Sequence, residues 1–283
     1  MKILLRLFIC LLLTQDVGAC TQAINTDRIT VAGGSVTEIL FFLGMEKHIV
    51  AADITSNYPP EAKKLPSIGY VRNLSAEGIL SLSPTVIIGE DDMGPAEVVT
   101  QIKAAGVEIL MVDEEHSAGG IINKIRCVAD IVGGRAGAET LIIDKLMPKI
   151  NQLEALASIN RAERPRVLFI LGMQNGSPIV AGRRVSASGL IAMLGGINIM
   201  DAFEGWKPAS PEAIVQAAPD VILISDRGLA GFGDLADLKK HPALRYTPAI
   251  KNSKVIVMDG MEMLGFGPRT LDAAIDLAQE ITR

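Results

Sequence analysis

Short apolar runs alternate with amphipathic stretches through the first half of the chain. The apolar runs are rich in β-branched residues and are bounded by glycine, proline or polar residues, which is typical of buried strands. They cover residues 28–32, 48–53, 85–89 and 108–112. The amphipathic stretches, whose apolar positions recur at helical spacing, cover residues 36–43, 97–105 and 119–132. Strands that alternate with helices predict an α/β fold with a parallel sheet covered on both faces.

The middle of the chain predicts one long helix. No strand-like run occurs between residues 136 and 163. Apolar residues recur there at helical spacing, at Leu141, Ile142, Leu146, Ile150, Leu153 and Leu156. Pro148 predicts a bend or a break, because proline removes a helical hydrogen bond. We therefore expect an N-terminal lobe at 27–133, a connecting helix at 134–163 and a C-terminal lobe at 164–283, with limited hinge opening.

A short unit occurs once in each predicted lobe. Residues 75–88 and 210–223 share Ser, Glu, Ile, Pro, Val and Ile at a constant offset of 135 positions. In each copy the serine is placed to cap a helix, the glutamate lies in the positive first turn, and the proline ends the helix before an apolar strand. The glutamates are Glu77 and Glu212. The repeat predicts two similar parallel-sheet lobes with a ligand cleft between them.

The first 20 residues resemble an export signal. Two basic residues precede an apolar run at 7–13 that is too short to span a bilayer, and small residues follow it. Residues 17–20 also resemble a bacterial lipobox, in which Cys20 would become the lipid-bearing first residue of the mature protein. Simple cleavage after Ala19 is the alternative. In both cases we expect an exported, periplasmic protein.

Composition and charge exclude several classes of protein. Apolar residues make up 49% of the chain and aromatic residues only 4%, so aliphatic residues and methionine are expected to form the core. Only Cys20 and Cys127 remain after processing, so we expect no disulfide framework and interpret Cys127 as a small buried residue. A formal charge of −5 provides no basic surface for nucleic acid. His48, His116 and His241 show no metal-ligand spacing, which argues against a zinc or manganese site.

One loop carries a candidate iron ligand. Tyr70 and Arg72 follow a proline-rich stretch at 55–69 and precede the first copy of the repeat. On an extended segment, side chains two residues apart project to the same side. A phenolic oxygen beside a guanidinium is a candidate ligand of Fe(III), because both the metal and the arginine stabilise the phenolate. A surface tyrosine beside a solvated arginine is the alternative interpretation.

Four motifs follow one another along the chain. They are AGGSVTE at 32–38, GYVRNLSAEG at 69–78, SDRGL at 225–229 and LGFGPR at 264–269. Their order resembles that of the periplasmic haemin-binding proteins of bacterial ABC importers, over nearly the whole mature chain. The resemblance implies a substrate-binding protein with a helical backbone, in which one long helix joins two α/β lobes around the ligand cleft.

The resemblance also implies how iron is bound. In that family a tyrosine at the position of Tyr70 coordinates the haem iron, and the arginine at the position of Arg72 hydrogen-bonds its oxygen. Some relatives add a histidine from the second lobe, but no histidine lies between residues 164 and 240. Met173 or Gln174, in the loop predicted to follow a strand at 166–171, could approach the other haem face. Ordinary loop packing is the alternative for both.

Basic residues at the cleft rim are expected to pair with the haem propionates. Arg227 is the first candidate because it follows a second-lobe strand, while Arg183 and Arg184 are weaker candidates. Each of the three could instead be a solvated surface charge. Members of the family also dock onto permease arginines through one glutamate per lobe. Glu77 and Glu212 occupy that place, and a role in helix capping is the alternative.

These observations predict a protein that performs no catalysis, captures haemin (ferric haem) and delivers it to an ABC permease and its ATPase in the inner membrane. A haem-donating outer-membrane receptor is a further expected partner. Binding of a ferric siderophore or of cobalamin by the same scaffold is one alternative. An exported α/β enzyme is another, although the sequence has no Gly-x-Ser-x-Gly elbow and no paired acid and histidine motif.

Overall fold

Two α/β lobes joined by a helical segment make up residues 20–281, the part of the chain described by the computed structural model. The apolar run and most of the predicted export signal, at residues 1–19, lie outside the described residues. The predicted fold class is confirmed, since each lobe contains a sheet with parallel strands and a cavity lies between the lobes.

The N-terminal lobe is built around a four-stranded parallel sheet. The strands of the lobe as a whole are β1 (Ile29–Ala32), β2 (Ile49–Ala52), β3 (Gly69–Tyr70), β4 (Asn73–Leu74), β5 (Val86–Glu90) and β6 (Glu108–Val112). Its helices are α1 (Gly34–Phe42), α2 (Ala76–Leu80), α3 (Ala96–Ala104) and α4 (Ala118–Ile131). The sheet order is β2-β1-β5-β6, while β3 and β4 form a separate antiparallel pair. The stretch before β3 contains a 3₁₀ turn at Pro60–Lys64, and another 3₁₀ turn at Glu46–His48 precedes β2.

A continuous helical segment connects the lobes. Helix α5 (Arg135–Leu141) passes through a π-helical turn at Ile142–Leu146 into α6 (Met147–Glu163). Pro148 lies at the start of α6, where a missing backbone N–H is tolerated. The predicted long helix is therefore present, and its irregularity is the π turn that directly precedes α6.

The C-terminal lobe contains a mixed sheet. Its strands are β7 (Arg166–Gln174), β8 (Ser177–Ala181), β9 (Ile197–Asn198), β10 (Trp206–Pro208), β11 (Val221–Ser225) and β12 (Val255–Met258). Its helices are α7 (Ser186–Met193), α8 (Pro211–Ala217), α9 (Asp226–Ala230), α10 (Leu235–Lys240), α11 (Pro248–Lys251), α12 (Gly260–Leu264) and α13 (Thr270–Glu280). The order is β10-β8-β7-β11-β12, with β9 beside β7, and the β8 and β10 pairings are antiparallel.

Strand β7 is longer than the predicted strand at 166–171. It continues to Gln174 and returns as β8 through Asn175 and Gly176, whose φ angles are 49° and 77°. Two successive residues of positive φ are typical of a type I′ hairpin turn, and Asn-Gly is its preferred sequence. The prediction that Met173 and Gln174 belong to a loop is therefore wrong, because both residues pair with β8.

The repeated unit has the structure predicted for it. The Ser75 Oγ accepts a hydrogen bond from the Gly78 N–H at 3.3 Å, and the Ser210 Oγ accepts one from the Ala213 N–H at 3.2 Å. Both serines therefore cap their helices, α2 and α8. Each helix leads into an interior strand of its sheet, β5 in one lobe and β11 in the other. The repeat thus builds equivalent halves on either side of the cavity.

One apolar core extends across both lobes. A single cluster of contacting buried side chains includes Ile29 and Val86 of the first sheet, Val167 and Leu223 of the second, and Phe266 of the loop after α12. Separating the lobes would expose part of this shared core to water. The common core therefore limits opening of the cavity to small movements.

Cys20 and Cys127 form a disulfide, which the expectation of a fold without a disulfide framework did not foresee. Cys127 lies on α4 and is partly exposed, rather than acting as a buried apolar residue. The N-terminal segment lies beside the end of α4, where the Ala23 N–H donates to the Ile131 carbonyl oxygen at 3.0 Å. A sequence separation of 107 residues carried no signal for this pairing, which depends on the docking of the segment.

Loss of the disulfide is expected to lower the free energy of unfolding by about 2–4 kcal/mol, because the bond closes a long loop in the unfolded chain. The change is Cys20→Ala together with Cys127→Ala, and the measurement is urea unfolding. Reduction of the unaltered protein with dithiothreitol is the control and should reproduce the loss. An alanine variant as stable as the oxidised protein would contradict the prediction.

Candidate functional site

A cavity of about 540 Å³ lies between the lobes, beyond the carboxyl ends of the strands. The N-terminal lobe provides a polar wall, whose charged or titratable residues are Tyr70, Arg72, Glu90, Asp91, Asp92, Glu114 and His116. The C-terminal lobe provides an apolar wall, whose large side chains are Leu171, Val185, Trp206, Met261 and Leu264. The size suits a small organic ligand. The two walls can therefore contact such a ligand in different ways.

Tyr70 and Arg72 meet across a tight turn. Tyr70 ends β3 and pairs with Asn73 of β4, so Val71 and Arg72 form the turn between them. Val71 is buried and anchors the turn to the lobe. The Arg72 Nη1 donates to the Tyr70 Oη at 2.7 Å, and the Arg72 Nη2 forms an ion pair with Asp92. The predicted pair is present, although a hairpin turn rather than an extended segment brings the side chains together.

The Tyr70 side chain is accessible from the cavity. Tyr70 is 37% exposed and lines the cavity, so an incoming ligand can reach its ring and its oxygen. Asp92 holds the Arg72 guanidinium from the other side. Tyr70, Arg72 and Asp92 therefore form a chain of polar contacts beside the cavity.

A tight turn brings the start of α1 against Glu90, which lines the cavity. Gly33 has a φ of 145°, and a Cβ atom there would lie 2.5 Å from the Glu90 Cδ. Only glycine fits this position. The Ser35 Oγ then donates to the Glu90 Oε1 at 2.7 Å. In the AGGSVTE motif, Gly33 therefore permits close packing against Glu90, and Gly34 permits close approach of Thr55 and Met261.

A buried lysine connects Ser35 at the start of α1 to the opposite lobe. The Lys124 side chain is 1% exposed and forms an ion pair with Glu114. The Lys124 Nζ also donates to the Ser35 Oγ at 3.0 Å and to the Gly265 carbonyl oxygen at 3.2 Å. Since Gly265 belongs to the C-terminal lobe and lines the cavity, Lys124 links both walls.

A second polar contact crosses the lobes farther along α1. The Arg269 Nε donates to the Glu38 Oε1 at 2.7 Å, and the Arg269 guanidinium lies 3.9 Å from the centre of the Tyr58 ring. Burial raises the pKa of Glu38 to about 7, although Arg269 opposes the shift. Together with Lys124, this contact holds the lobes in one relative position.

Burial also shifts the pKa values of three side chains that line the cavity, Glu90, Glu114 and His116. It raises the pKa of Glu90 to about 7 against the attraction of Lys124, and it raises the pKa of Glu114 in the same way. Burial lowers the pKa of His116, which favours a neutral imidazole. The His116 ring packs against the Phe266 ring, with ring centres 4.9 Å apart. The His116 Nε2 lies 3.6 Å from the Glu114 Oε2.

Stability is expected to fall as the pH rises from about 4.5 to about 7. In this window folded Glu90 keeps a proton that the unfolded chain releases, so the stabilisation present below pH 4.5 is lost as pH passes the folded pKa. Glu90→Gln should remove only part of this loss, because burial also raises the pKa values of Glu38, Glu114 and Glu262. Urea unfolding at pH 5 and pH 8 measures the effect. An equally steep dependence in the variant would contradict the assignment to Glu90.

The second-lobe candidates lie beside the cavity rather than among the residues that line it. Arg227 is exposed on α9, and a Cβ atom on the adjacent Gly228 would lie 2.5 Å from the carbonyl oxygen of cavity-lining Leu171. Helix α9 therefore packs directly on the cavity wall. Met173 and Gln174 lie farther along the same strand as Leu171, near the hairpin turn. Arg227 therefore lies on a helix that packs against the strand of cavity-lining Leu171.

The other predicted residues are exposed. Arg183 donates to the Asp201 carbonyl oxygen at 2.9 Å and forms an ion pair with Glu204 at 3.4 Å, while Arg184 lies 3.9 Å from the same carboxylate. Both arginines directly precede Val185 of the apolar wall. Glu77 and Glu212 lie on the first turns of their repeated helices, one on each lobe. They are therefore available to a protein partner.

His116 and Trp206 are cavity residues that sequence reasoning missed. His116 comes from the loop after β6, two residues beyond Glu114, and only the fold brings its ring against Phe266 of the C-terminal lobe. Trp206 comes from the edge strand β10, which no periodic pattern indicated. As the single tryptophan of the chain it was the one usable signal, because tryptophan often marks binding surfaces.

The profile of the family described as periplasmic binding protein matches residues 29–261. The chain belongs to this family. Its fold and family are those of substrate-binding proteins of ABC transporters rather than of enzymes, so a bound ligand, a permease and an ATPase are implied partners. Family membership likewise implies export. Within residues 20–281, every helix is too short or too polar to cross a membrane.

Curated relatives of this periplasmic binding protein include an uncharacterized substrate-binding lipoprotein and vitamin B12-binding proteins. The chain is 23% identical over 249 residues to an uncharacterized ABC transporter substrate-binding lipoprotein, YvrC of Bacillus subtilis, covering 87% of this chain and 77% of the relative. It is 25% identical over 276 residues to a vitamin B12-binding protein of Vibrio parahaemolyticus, covering 96% and 95% of the two chains.

Solved structures of similar fold include periplasmic heme-binding proteins. BhuT in complex with two hemes is 37% identical, with a TM-score of 0.82 over 90% of this chain and 97% of that chain. RhuT from Roseiflexus sp. RS-1 in apo form is 39% identical, with a TM-score of 0.80 over 91% and 98%. The predicted resemblance to haem-binding members of this scaffold is thereby confirmed.

Proposed function

We propose that this periplasmic binding protein captures haemin and delivers it to an ABC permease. The observation that carries the proposal is the Tyr70 phenolic oxygen, which lines the cavity and accepts a hydrogen bond from Arg72 at 2.7 Å. Tyrosine is a known axial ligand of ferric haem in other proteins. Tyr70 is therefore the proposed iron ligand, and Arg72 stabilises its phenolate.

The apolar wall provides most of the affinity in this proposal. A porphyrin that covers Leu171, Val185 and Leu264 removes apolar surface from water, at about 25 cal/mol for each Å² before the costs of association. Iron coordination by Tyr70 then adds selectivity for the ferric macrocycle. The similarity to solved heme-binding proteins at 37% and 39% identity supports haemin as the ligand.

Charge in the cavity favours one orientation of haemin. Four carboxyl side chains and one guanidinium line the polar wall, so an anionic group against it meets net repulsion. The propionates are therefore proposed to point towards the mouth. Arg227 and Arg183 are exposed residues of the C-terminal lobe close in sequence to cavity-adjacent Gly228 and cavity-lining Val185, and they are the proposed partners of the propionates.

Cobalamin is the second candidate ligand. It is favoured by the curated relatives described as vitamin B12-binding proteins, one of which aligns with 96% of this chain. Cobalamin has no need of a tyrosinate ligand for iron. An anionic ferric siderophore is disfavoured by the same carboxylates that orient the propionates.

Ligand competition tests the proposal. The mature protein is titrated with haemin by absorption spectroscopy, and its melting temperature is measured with haemin, cyanocobalamin or a ferric triscatecholate siderophore. A saturable tyrosinate-type spectrum and stabilisation by haemin alone are expected, since only a ligand of the folded state raises the melting temperature. Stabilisation by cyanocobalamin without a haemin spectrum would overturn the proposal in favour of the second candidate.

Docking to the permease is proposed to involve one glutamate on each lobe. Glu77 and Glu212 are exposed in equivalent first turns of α2 and α8. Hydrogen bonds from its own backbone N–H and from Ser210 lower the pKa of Glu212, which keeps it ionised. Two carboxylates fixed on a rigid pair of lobes can meet two arginines of the permease together.

The mature protein is proposed to diffuse freely in the periplasm. The Cys20 sulfur is bonded to Cys127, and a lipid thioether would need the same atom. The disulfide therefore favours simple cleavage after Ala19 over lipidation. Mass spectrometry of the native N-terminus decides between them, because an acylated Cys20 would contradict the proposal.

A further inference from the structure

Trp206 is a large aromatic residue on the cavity wall opposite Tyr70. It is the only tryptophan of the chain, in which aromatic residues make up 4%. The other large side chains on this wall are aliphatic or belong to methionine, and they include Leu171, Val185 and Leu264. Trp206 therefore supplies the extended flat apolar surface of the C-terminal lobe at this site.

The position of Trp206 is set by the sheet and by the core. It lies on edge strand β10 and pairs with Ala181 of β8. Its ring meets the fully buried Phe169 edge to face, with ring centres 5.9 Å apart and an angle of 64° between the planes. The indole is half-buried, so part of it is held by the core while part lines the cavity. Such a ring is pre-organised for contact with a ligand.

We propose that Trp206 determines the specificity of the cavity for a planar aromatic macrocycle. This inference rests on the proposed function. The polar wall coordinates the metal and repels anions, but it does not distinguish a flat porphyrin from another iron chelate. A flat indole does distinguish them, because stacked or edge-to-face aromatic contacts add to simple burial of area. A puckered corrin or a globular siderophore presents no such flat face.

The test separates the contribution of the ring from that of the metal. Haemin and metal-free protoporphyrin IX are titrated into the unaltered protein and into Trp206→Leu, Trp206→Phe and Tyr70→Phe. Trp206→Leu is expected to weaken both ligands about 10-fold, whereas Trp206→Phe keeps both within about 3-fold. Tyr70→Phe should weaken haemin alone. Tyr246→Leu is the matched control, since Tyr246 is 57% exposed and does not line the cavity.

Comparing the affinities of two porphyrins for the unaltered protein tests the same inference without a variant. N-methylprotoporphyrin, whose ring is distorted from planarity, should bind the unaltered protein about 10-fold more weakly than planar protoporphyrin IX. Equal affinities for these two ligands would overturn the inference, as would unchanged affinities in a folded Trp206→Leu variant. An unaltered protein without saturable haemin binding would instead overturn the proposed function, and the inference with it.

Discussion

Haemin binding is expected to weaken by at least about 100-fold in Tyr70→Phe. Loss of a group that merely supports a metal ligand typically costs 10–100-fold in metal affinity, so removal of the ligand itself should cost more. The tyrosinate-type absorption of the complex should disappear as well, because phenylalanine has no oxygen to coordinate the iron. Titration with haemin, followed by absorption spectroscopy, measures both effects.

Two further variants make this result specific. Arg72→Ala should weaken binding less and shift the spectrum, because the guanidinium stabilises the phenolate without touching the iron. Tyr246→Phe should bind normally, since Tyr246 stacks on Arg245 away from the cavity. A Tyr70→Phe protein with unchanged affinity and spectrum would exclude Tyr70 as the ligand. In that case another cavity residue, or a different ligand, would have to be considered.

Lys124→Met is expected to lower the free energy of unfolding by about 3–5 kcal/mol. The methionine keeps the volume of the stem but leaves Glu114 without its ion-pair partner at a site where the lysine is 1% exposed. It also leaves the Ser35 hydroxyl and the Gly265 carbonyl without a donor. Urea unfolding at pH 7.5 measures the loss. Haemin affinity should fall as well, because Gly265 and Glu114 line the cavity.

The origin of this loss can be checked in two ways. Adding Glu114→Gln to the variant should restore part of the stability, since it removes the unpaired charge. Lowering the pH to 5 should do the same, because burial already raises the pKa of Glu114 and Lys124 opposes that shift. Lys103→Met, on an exposed face of α3, should change stability by no more than about 0.5 kcal/mol. A cost below about 1 kcal/mol for Lys124→Met would contradict the importance of this contact.

Much of the fold could be predicted because it depends on local patterns. Apolar runs, serine caps and a helical spacing through the middle of the chain each act over a few residues, and the repeat tied two such units together. The capping hydrogen bonds of Ser75 and Ser210 are direct confirmation. The Asn175-Gly176 turn carried an equally local signal, and overlooking it led to the wrong placement of Met173 and Gln174.

The cavity walls could be predicted only in part. Tyr70 and Arg72 are near neighbours in sequence, so their contact needed no knowledge of distant segments. His116, Trp206 and Lys124 come from separate elements, and each meets its partners only after the strands are ordered. The Cys20 to Cys127 bond joins residues 107 positions apart and depends in the same way on the docking of a terminal segment.

The sequence by itself determined the alternating strands and helices of the N-terminal sheet, the repeated α/β unit and the Tyr70 and Arg72 pair, because these follow from periodicity and from contacts within a few residues. The tertiary structure alone decided that one wall of the cavity is acidic and the other apolar, that Lys124 links the lobes, and that Cys20 is bonded to Cys127. Such features depend on which distant side chains are buried together, and burial is a property of the folded chain as a whole.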